Sequence, residues 1–556
     1  MLNPSFVAAG LNQLAPGQLR SAVENFLPKE GSREEKIKAI EAGLQSPLGQ
    51  SFREAMARWI VDEIVPVDRL VPQTYIKWRP PVRDAMIFVV ARLSPARLAP
   101  KLLEQIELPA DTRPEARLLR LISKVPGLQK LGQVIARNQH LHPALRNALA
   151  KLENGIRDIN PNEIRAIVEQ QLGPRIETYA IEIAPKILKE ASVSSVVRFS
   201  WRNEKTGRRE RGVFKVLKPH IPEYFAEDME YLSGLAHYFG DRHHTYGFPA
   251  DLIPDTFRKV RRLLRHEVNF VREQKTLVEA AELYTTFPRI RVPKVIKPLC
   301  TPTLTALTEE KGIKVTSAAA RMPFSKRRRV AEQLVEALIA VPLFSAEKSA
   351  VFHGDPHAGN LLYDRRTGEL AIIDWALRER LESEQRRHLA LLFLMVTLRD
   401  PVGACVEVAA LSQCKIGMSS SKGRLIRQAV SEVLDEMPAS HLPSVAEVMR
   451  LLESVAMKGV KFPGPLVMLS KVAFTLDGIL GDIVELENGV GFPVARQFAQ
   501  HWIANRSEFR SPLRARDWFS LQCSAMLLPG RLGVQWEQTM LSRWLKHKPG
   551  PSSAAT

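Results

Sequence analysis

The sequence predicts an α+β fold in which the strands are confined to the middle of the chain and helices lie on both sides. Two segments of alternating apolar and polar residues, 196–201 and 211–217, flank the turn 204–207 and indicate a β-hairpin. A second hairpin is predicted from the segments 360–364 and 369–374, which flank a turn ending in glycine. The other long segments show the three- to four-residue apolar spacing that is typical of helices.

The order of these elements divides the chain into five predicted parts. Prolines break the helical periodicity of the first part into short helices, and in the second part Asn160 and Pro161 begin a helix. In the central part, 289–296 and 303–308 are further strand candidates, and a long helical segment is predicted at about 223–285. The predicted parts are an N-terminal helical extension (1–115), a helical segment (116–190), an α+β core (191–400), a C-terminal helical extension (401–548) and a disordered tail (549–556).

The composition is that of a folded chain with an excess of positive charge. Its 556 residues are 45% hydrophobic and 25% charged, which argues against disorder and against a low-complexity architecture. The formal net charge of +19 suggests a nucleic acid, an anionic membrane surface or a phosphorylated ligand as partner. The four cysteines are scattered without a C-x-x-C pair, as expected for a reducing compartment and no structural zinc.

Neither a transmembrane segment nor a signal peptide is predicted. The most apolar run, 388–398, has about half the ~20 residues that a membrane-spanning helix needs. Residues 1–19 lack the basic start and the apolar middle of a signal peptide. The sequence therefore predicts a chain that is soluble or lies on a surface.

The segment 351–381 carries the pattern with the most chemical information. Asp355 and Asn360 are five positions apart, and Asp374 follows at the end of the hairpin that begins at Asn360. Phosphoryl transfer needs one carboxylate to orient the nucleophile, and a carboxamide and a second carboxylate to hold Mg²⁺. We expect His353 to brace the loop. An ordinary loop would be enough to explain three isolated residues. Here six positions match one motif, which favours a functional site: His353, Gly354, Asp355, His357, Gly359 and Asn360.

With further motifs in the same order, this segment resembles the UbiB/AarF family of atypical protein-kinase-like proteins, which is linked to ubiquinone and other isoprenoid-lipid metabolism. The resemblance covers about 116–400 and, more weakly, the C-terminal helices. The other matching motifs are Lys130–Gln133 for the K-x-G-Q motif, 191–196 for the alanine-rich nucleotide loop, 213–216 for the strand of the ATP-binding lysine, and 267–270 with Glu273 for the E-x-D stretch and the helix glutamate.

The resemblance implies a protein-kinase-like two-lobed core with all-helical N- and C-terminal extensions, binding ATP and Mg²⁺. Lys215 would contact the α- and β-phosphates if Glu273 neutralises and positions it, and Asp355 would orient the attacking hydroxyl or water. Asn360 and Asp374 would hold the metal. The further nucleotide-binding residues implied by the motifs are Lys130, Gln133, Ala191, Ser192 and Ser194.

Some of these assignments have simpler alternatives. Lys215 taken alone is a solvated strand lysine, and Lys130 and Gln133, three positions apart, also suit an exposed amphipathic helix. The resemblance implies instead that this helix folds over the nucleotide cleft and restrains protein phosphorylation. The segment 303–310 is either the hinge that contacts the adenine or a plain core strand.

The sequence departs from the family pattern at several positions. Asn269 replaces the aspartate of E-x-D, and Lys189 and Glu190 make the nucleotide loop more polar. Trp375 and Ala376 replace the usual Phe-Gly that follows the metal-binding aspartate. Because alanine disfavours positive φ, Ala376 in place of glycine predicts reduced backbone freedom after Asp374. None of these changes removes a predicted catalytic or metal-binding side chain.

Much of the positive charge lies in helical segments. The tightest clusters are within 258–265 and at 326–329, and a basic helix is predicted at 531–548. The apolar stripe of that helix consists of Trp536, Met540 and Trp544. An anionic membrane surface or a solvated helix face explains the clusters, and a membrane surface or packing on its own domain explains the stripe. Without interleaved aromatic residues, the clusters do not indicate nucleic-acid binding.

These patterns predict a Mg·ATP-binding atypical kinase or ATPase that supports isoprenoid-quinone or lipid metabolism at the cytoplasmic face of a membrane. The predicted partners are a nucleotide, an isoprenoid lipid or quinone precursor, and an anionic membrane surface. Two other classes remain open. A small-molecule phosphotransferase of the aminoglycoside-kinase type shares the loop motif but not the Lys130–Gln133 helix, and a catalytically inert lipid-binding pseudokinase fits the departures from the family pattern.

Overall fold

A computed structural model describes the chain as two compact units. The described residues are 31–71, 73–109, 111–123, 125–130, 159–247, 250, 252–345, 347–413, 416–437, 443–484 and 513–546. The first unit contains the described residues up to Val271 together with Ile296–Leu307. The second unit contains Arg272–Val295 and the described residues from Thr308 onward. The five-part division of the sequence stays a prediction.

Helices dominate both ends of the described chain, and the strands lie between them. The helices are α1 (Arg33–Gln45), α2 (Pro47–Trp59), α3 (Val67–Leu70), α4 (Arg79–Arg92), α5 (Pro95–Glu107), α6 (Pro114–Ile122), α7 (Pro161–Leu172), α8 (Arg175–Thr178), α9 (His220–Asp241), α10 (His243–Tyr246), α11 (Leu252–Glu267), α12 (Phe270–Leu283), α13 (Val315–Ala319), α14 (Phe324–Val335), α15 (Val341–Phe344), α16 (Ser383–Thr397), α17 (Pro401–Leu411), α18 (Ser421–Glu436), α19 (Val445–Met457), α20 (Gly464–Ile483) and α21 (Ala515–Lys546). The strands are β1 (Glu182–Glu190), β2 (Ser194–Arg202), β3 (Arg209–Leu217), β4 (Ile290–Arg291), β5 (Leu304–Thr308), β6 (Ile313–Lys314), β7 (Ser349–His353), β8 (Leu361–Asp364), β9 (Glu369–Ile372) and β10 (Arg378–Glu382). This order confirms the α+β class.

The first unit contains a four-stranded sheet with the order β1-β2-β3-β5. The predicted hairpin is confirmed, because β2 and β3 pair antiparallel with Val196 opposite Lys215. Its turn includes Gly207 at φ +65°, a left-handed conformation that glycine adopts without steric cost. Phe199 and Phe214 stack on the buried face with their ring centroids 3.7 Å apart. The sheet therefore fixes the position of Lys215 in β3.

Strand β1 corrects the prediction that 116–190 is entirely helical. It pairs antiparallel with β2, and its register shifts between Ile183 and Ile187. Pro185 lies within this irregular stretch of an edge strand, where a missing N–H is tolerated. Ile183 and Ile187 are four positions apart, a spacing that also occurs on one face of a helix. At the start of α7 the prediction is confirmed, since the Asn160 side chain accepts a hydrogen bond from the backbone of Asn162.

The long helical segment predicted at 223–285 is interrupted. The segment is helical, as predicted, and forms α9, α10, α11 and α12. Gly247 ends α10 in the left-handed conformation at φ +66°. Pro254 lies in the first turn of α11, where proline is tolerated because the N–H would have no partner within the helix. The last interruption, at Val268 and Asn269, lies immediately before the helix that carries Glu273.

The second unit contains the other predicted hairpin and a pair of strands beside it. Strands β8 and β9 pair antiparallel with Leu361 opposite Ile372, which confirms the prediction. Strands β7 and β10, which the sequence analysis did not identify, pair antiparallel with His353 opposite Arg378. Within the predicted strand 289–296, β4 covers only Ile290–Arg291, and Pro293, which lacks a backbone donor, separates it from a single bridge residue at Val295. This framework carries the loop between β7 and β8.

The C-terminal half of the second unit is helical, as predicted. Helices α19 and α20 have largely apolar buried faces, and α20 continues the packing through Leu469, Val472 and Leu476. Among the described helices, none combines the length and the apolar content needed to cross a membrane.

Candidate functional site

The loop between β7 and β8 folds back on itself and brings Asp355 next to Asn360. The Asn360 side-chain Nδ2 donates to the backbone oxygen of Asp355 over 3.2 Å. The backbone nitrogens of His357 and Asn360 donate to Asp355 O and His357 O, each over 2.8 Å. His357 also accepts from the nitrogen of Gly359 over 3.1 Å. These local bonds fix the two predicted site residues relative to each other.

His353 ties this loop to the segment that carries Asp374. Its Nε2 lies 3.1 Å from Ile373 O and 3.0 Å from Asp374 O, so this nitrogen is the donor. Its Nδ1 accepts from the backbone nitrogen of Asp355 over 3.2 Å. Burial lowers the pKa of His353, which favours the neutral ring that these bonds require. His353 thus has the bracing position that the sequence predicts.

Asp374 has an unusual backbone conformation. Its φ is +63°, in the left-handed region that aspartate and asparagine adopt more readily than most residues. Ala376 is not among the described residues with positive φ, which agrees with the preference of alanine, and the reduced backbone freedom after Asp374 stays a prediction. The following Trp375 is fully buried and donates from Nε1 to Ile372 O over 3.0 Å. Its ring also contacts that of His353 edge-on, with centroids 5.0 Å apart.

The side-chain oxygen of Asn360 has the environment expected of a metal ligand. Asn360 is 3% exposed, and its Oδ1 is buried with no hydrogen-bond partner among the described residues. Such an unsatisfied group costs about 1–3 kcal/mol and calls for an explanation. Asn360 and Asp374 together offer the oxygen ligands that Mg²⁺ prefers, so the residues present fit the ion.

A lysine that the sequence analysis did not identify contacts the same loop. Lys471 Nζ lies 3.0 Å from Asp355 Oδ1. The lysine is the one cationic residue in the sequence of α20, which is otherwise largely apolar. A single charge in an apolar helix is a sequence signal for a functional lysine, but no motif links Lys471 to Asp355, which lies 116 positions earlier. The loop is therefore in contact with the C-terminal helical part of the second unit.

In the first unit, Lys215 lies on β3 and is partly buried. Its Nζ is 5.5 Å from the centroid of the Phe270 ring, within cation–π range. The side chain is therefore not the fully solvated strand lysine of the simpler alternative. Strand β5, the candidate hinge, is next to β3, and Leu304–Leu307 are buried. Both interpretations of 303–310 remain open.

The lysine of the K-x-G-Q motif is also held within the first unit. Lys130 ends the described helical stretch 126–130, and its side chain is 11% exposed. It forms an ion pair with Glu267, the first residue of the E-x-D match. Ser192 Oγ donates to the other oxygen of Glu267 over 3.3 Å. An exposed amphipathic helix is therefore wrong for Lys130, whereas Gln133 lies outside the described residues.

The predicted nucleotide loop is a short turn between β1 and β2. The backbone nitrogen of Ala191 donates to Ser194 O over 2.8 Å, and Ser192 and Ser194 are buried. Glu190 was expected to make this turn more polar, but it does not. It is buried at the end of β1, where its carboxylate lies 3.4 Å from Lys218 Nζ. The turn is thus tied to Glu267 on one side and to β3 on the other.

Glu273 lies in the first turn of α12 and is 2% exposed. It belongs to the second unit with Asp355, Asn360 and Asp374, whereas Lys215 belongs to the first. The pairing of Lys215 with Glu273 therefore stays a prediction.

Comparisons with known proteins identify the domain that carries these residues. Residues 151–408 match the ABC1 atypical kinase-like domain. The chloroplastic Protein ACTIVITY OF BC1 COMPLEX KINASE 7 of Arabidopsis thaliana is 24% identical over 390 residues, which cover 69% of this chain and 54% of that protein. The Probable protein kinase UbiB of Sodalis glossinidius is 22% identical over 402 residues, which cover 69% of this chain and 70% of that protein.

Two further matches are another UbiB protein and a solved structure. The Probable protein kinase UbiB of Haemophilus ducreyi is 23% identical over 397 residues, covering 69% of this chain and 70% of that protein. The solved complex of Rv3197 with erythromycin from Mycobacterium tuberculosis has a TM-score of 0.43 and 17% identity, covering 64% of this chain and 87% of that chain. The chain thus spans about half of the Arabidopsis protein and more than two thirds of each UbiB protein.

The predicted resemblance and the protein-kinase-like fold class are confirmed by the match of residues 151–408 and by the similarity to the UbiB proteins. The motifs from 191–196 to Asp374 all lie within the matched range, whereas the Lys130–Gln133 motif precedes it. Residues 151–408 of this chain are thus similar to the ABC1 atypical kinase-like domain, and the chain is similar to the UbiB proteins.

Proposed function

We propose that the chain is a Mg·ATP-dependent atypical kinase or ATPase of the UbiB type. The observation that carries the proposal is the buried Asn360 Oδ1, which has no hydrogen-bond partner among the described residues and lies on the loop that holds Asp355. Bound Mg²⁺ would neutralise developing charge on the phosphate oxygens. Asn360 and Asp374 would hold the ion, and His353 keeps their two segments together.

Asp355 would accept the hydrogen bond of the attacking hydroxyl or water and so orient it. Lys215 would bind the α- and β-phosphates, with Glu273 as its acidic partner. The turn containing Ala191, Ser192 and Ser194 would contact the nucleotide through its backbone. These assignments follow from motif positions within the matched domain and from the local geometry of each unit.

The Lys130 helix bears on the choice of substrate. Lys130 is paired with Glu267, which also accepts from Ser192 in the nucleotide turn. This connection supports a role for the K-x-G-Q motif at the nucleotide site, where it would restrict access of protein substrates. We therefore favour ATP hydrolysis or phosphorylation of a small or lipid molecule. The UbiB relatives support isoprenoid-quinone metabolism as the setting.

The test is ATP hydrolysis by the purified chain with Mg²⁺ and with EDTA. We expect a nucleotide-dependent rise in the melting temperature and phosphate release that EDTA abolishes. Phosphate appearing on a soluble hydroxylated compound would favour the aminoglycoside-kinase type of activity. Nucleotide binding without turnover would favour an inert pseudokinase. The absence of both binding and hydrolysis would contradict the proposal.

A second proposal concerns a membrane surface, and its support is the outer face of α21. This face is unusually apolar for an exposed helix. Its exposed apolar side chains are Phe519, Met526, Leu527, Val534 and Met540. Trp536, predicted to belong to the apolar stripe, is 59% exposed, and the side chain of Trp544 lies outside the described part of the structure. A peripheral position on the anionic cytoplasmic face of a membrane would bury these side chains, and the net positive charge of the chain would favour such a surface.

Vesicle co-sedimentation tests this second proposal. We expect Met526→Asp to weaken binding to vesicles containing phosphatidylserine by about tenfold, because it removes an inserted apolar group and adds a repelled charge. Met457→Asp is the matched control, since Met457 is 86% exposed on α19 and should leave binding unchanged. Equal binding of all three proteins to these vesicles would contradict the assignment of α21.

A further inference from the structure

The contact between Lys471 and Asp355 joins the predicted catalytic loop to a helix outside the matched domain. The family match ends at residue 408, whereas Lys471 lies on α20. The Lys471 side chain is 34% exposed and that of Asp355 21%, so both groups are partly shielded but accessible to a ligand. A charged pair of this kind at a reactive loop has a larger effect on function than a fully exposed surface pair.

The two partners are held from opposite sides. On α20, Leu469, Val472 and Ala473 are buried around Lys471, so packing fixes its backbone. A second ion pair, between Arg450 Nη2 on α19 and Asp477 Oδ2 on α20, is 3.1 Å long but lies on the surface, with side chains 56% and 43% exposed, so it contributes little to holding this helix. On the loop, the bonds from Asn360 and His353 fix the backbone of Asp355, as described above. The ammonium group is thus presented to the carboxylate by rigid elements.

We propose that Lys471 is a positioning residue for phosphoryl transfer, acting through the Asp355 carboxylate. The inference rests on the proposed function, because Asp355 is the group that orients the nucleophile there. The bond from Lys471 to Oδ1 fixes the rotation of the carboxyl group, so the second oxygen keeps one direction. A nucleophile held by that oxygen then keeps a constant line of attack, on which phosphoryl transfer depends.

Charge gives Lys471 a second effect on the same group. The His353 ring bonds to the backbones of both Asp355 and Asp374, which brings two carboxylate-bearing residues to one buried side chain. Two uncompensated negative charges would repel the phosphates of a nucleotide. Lys471 supplies a positive charge directly at one of them. The C-terminal helical part therefore completes the site both geometrically and electrostatically.

Steady-state ATP hydrolysis by the full chain tests the inference. We expect Lys471→Met to lower kcat by about 10²-fold while the KM for ATP changes by less than about threefold, because positioning rather than nucleotide binding is lost. Lys471→Arg keeps the charge and should retain at least about a tenth of the parent kcat. Arg450→Met is the matched control, since it removes another ion pair of α20 and should leave kcat unchanged.

A double substitution tests whether Lys471 acts through Asp355 or independently of it. In an Asp355→Asn background, Lys471→Met should cause no further loss, because its target is already disabled. A further loss as large as that in the parent chain would overturn the inference. So would Lys471→Arg being no better than Lys471→Met. If Lys471→Met does not fold, as judged by its melting temperature, the comparison of Lys471→Arg with Lys471→Gln decides in the same way.

Failure of the inference differs from failure of the proposed function. A parent chain that hydrolyses ATP, with Lys471→Met equally active, overturns only the role of Lys471. A parent chain that neither binds nor hydrolyses Mg·ATP overturns the proposed function and this inference together.

Discussion

Replacing Asp374 by asparagine is expected to lower Mg²⁺-dependent ATP hydrolysis by ~10²–10³-fold, with little change in stability. The carboxylate is the anionic member of the predicted metal-binding pair, and the amide cannot supply its charge. Asparagine tolerates the left-handed φ of +63° as aspartate does, so the backbone should be retained. The bond from His353 should also persist, because it reaches the backbone oxygen. Initial rates at several Mg²⁺ concentrations measure the effect.

Asp364→Asn is the matched control for this prediction. Asp364 ends β8 on the same hairpin and accepts a hydrogen bond from the Arg366 nitrogen over 2.8 Å in the turn. This second substitution removes a carboxylate from the far end of the hairpin and should leave hydrolysis within about twofold of the parent rate. Equal activity of the parent chain and Asp374→Asn would exclude Asp374 as a required metal ligand.

The hairpins were predictable because their signals are local. In β2 and β3, buried and more exposed residues alternate along most of each strand, and in both hairpins the turn contains a glycine that adopts positive φ. Strand β1 was not predictable in this way, because its pairing is irregular and the spacing of Ile183 and Ile187 also occurs in helices. Strands β7 and β10 are short, and their pairing joins segments on either side of a hairpin, so neither shows its partner in the local sequence.

The candidate site also contains residues that local motifs predict and residues that they do not. Asp355, Asn360 and Asp374 lie within twenty positions of one another and form a recognisable motif. The pairing of Lys130 with Glu267 joins two motifs whose positions were predicted but whose contact was not. Lys471 belongs to no motif, and only packing of α20 brings it to Asp355. Sequence patterns therefore identified the reactive side chains, whereas the groups that position them depend on tertiary contacts.

Trp375→Ala should cause the largest loss of stability among these substitutions, about 3–5 kcal/mol. The indole is fully buried, and its Nε1 donates to Ile372 O over 3.0 Å. Its ring contacts those of His353 and Tyr284, at centroid distances of 5.0 Å and 6.2 Å. Alanine would leave a cavity beside the histidine that joins the two predicted metal-binding segments. Calorimetry should show the melting temperature of this unit lowered by at least about 6 °C.

Two further variants separate the contributions of packing and hydrogen bonding at this position. Trp375→Phe keeps an aromatic ring against His353 but loses the Nε1 donor, so a smaller loss of about 1 kcal/mol is expected. Trp536→Ala removes an indole that is 59% exposed on α21 and should change stability by less than about 0.5 kcal/mol. If Trp375→Ala were as stable as Trp536→Ala, the tryptophan would not support the metal-binding segments. A large loss for Trp375→Ala with a small one for Trp375→Phe would show that the phenylalanine typical of the family maintains the same packing.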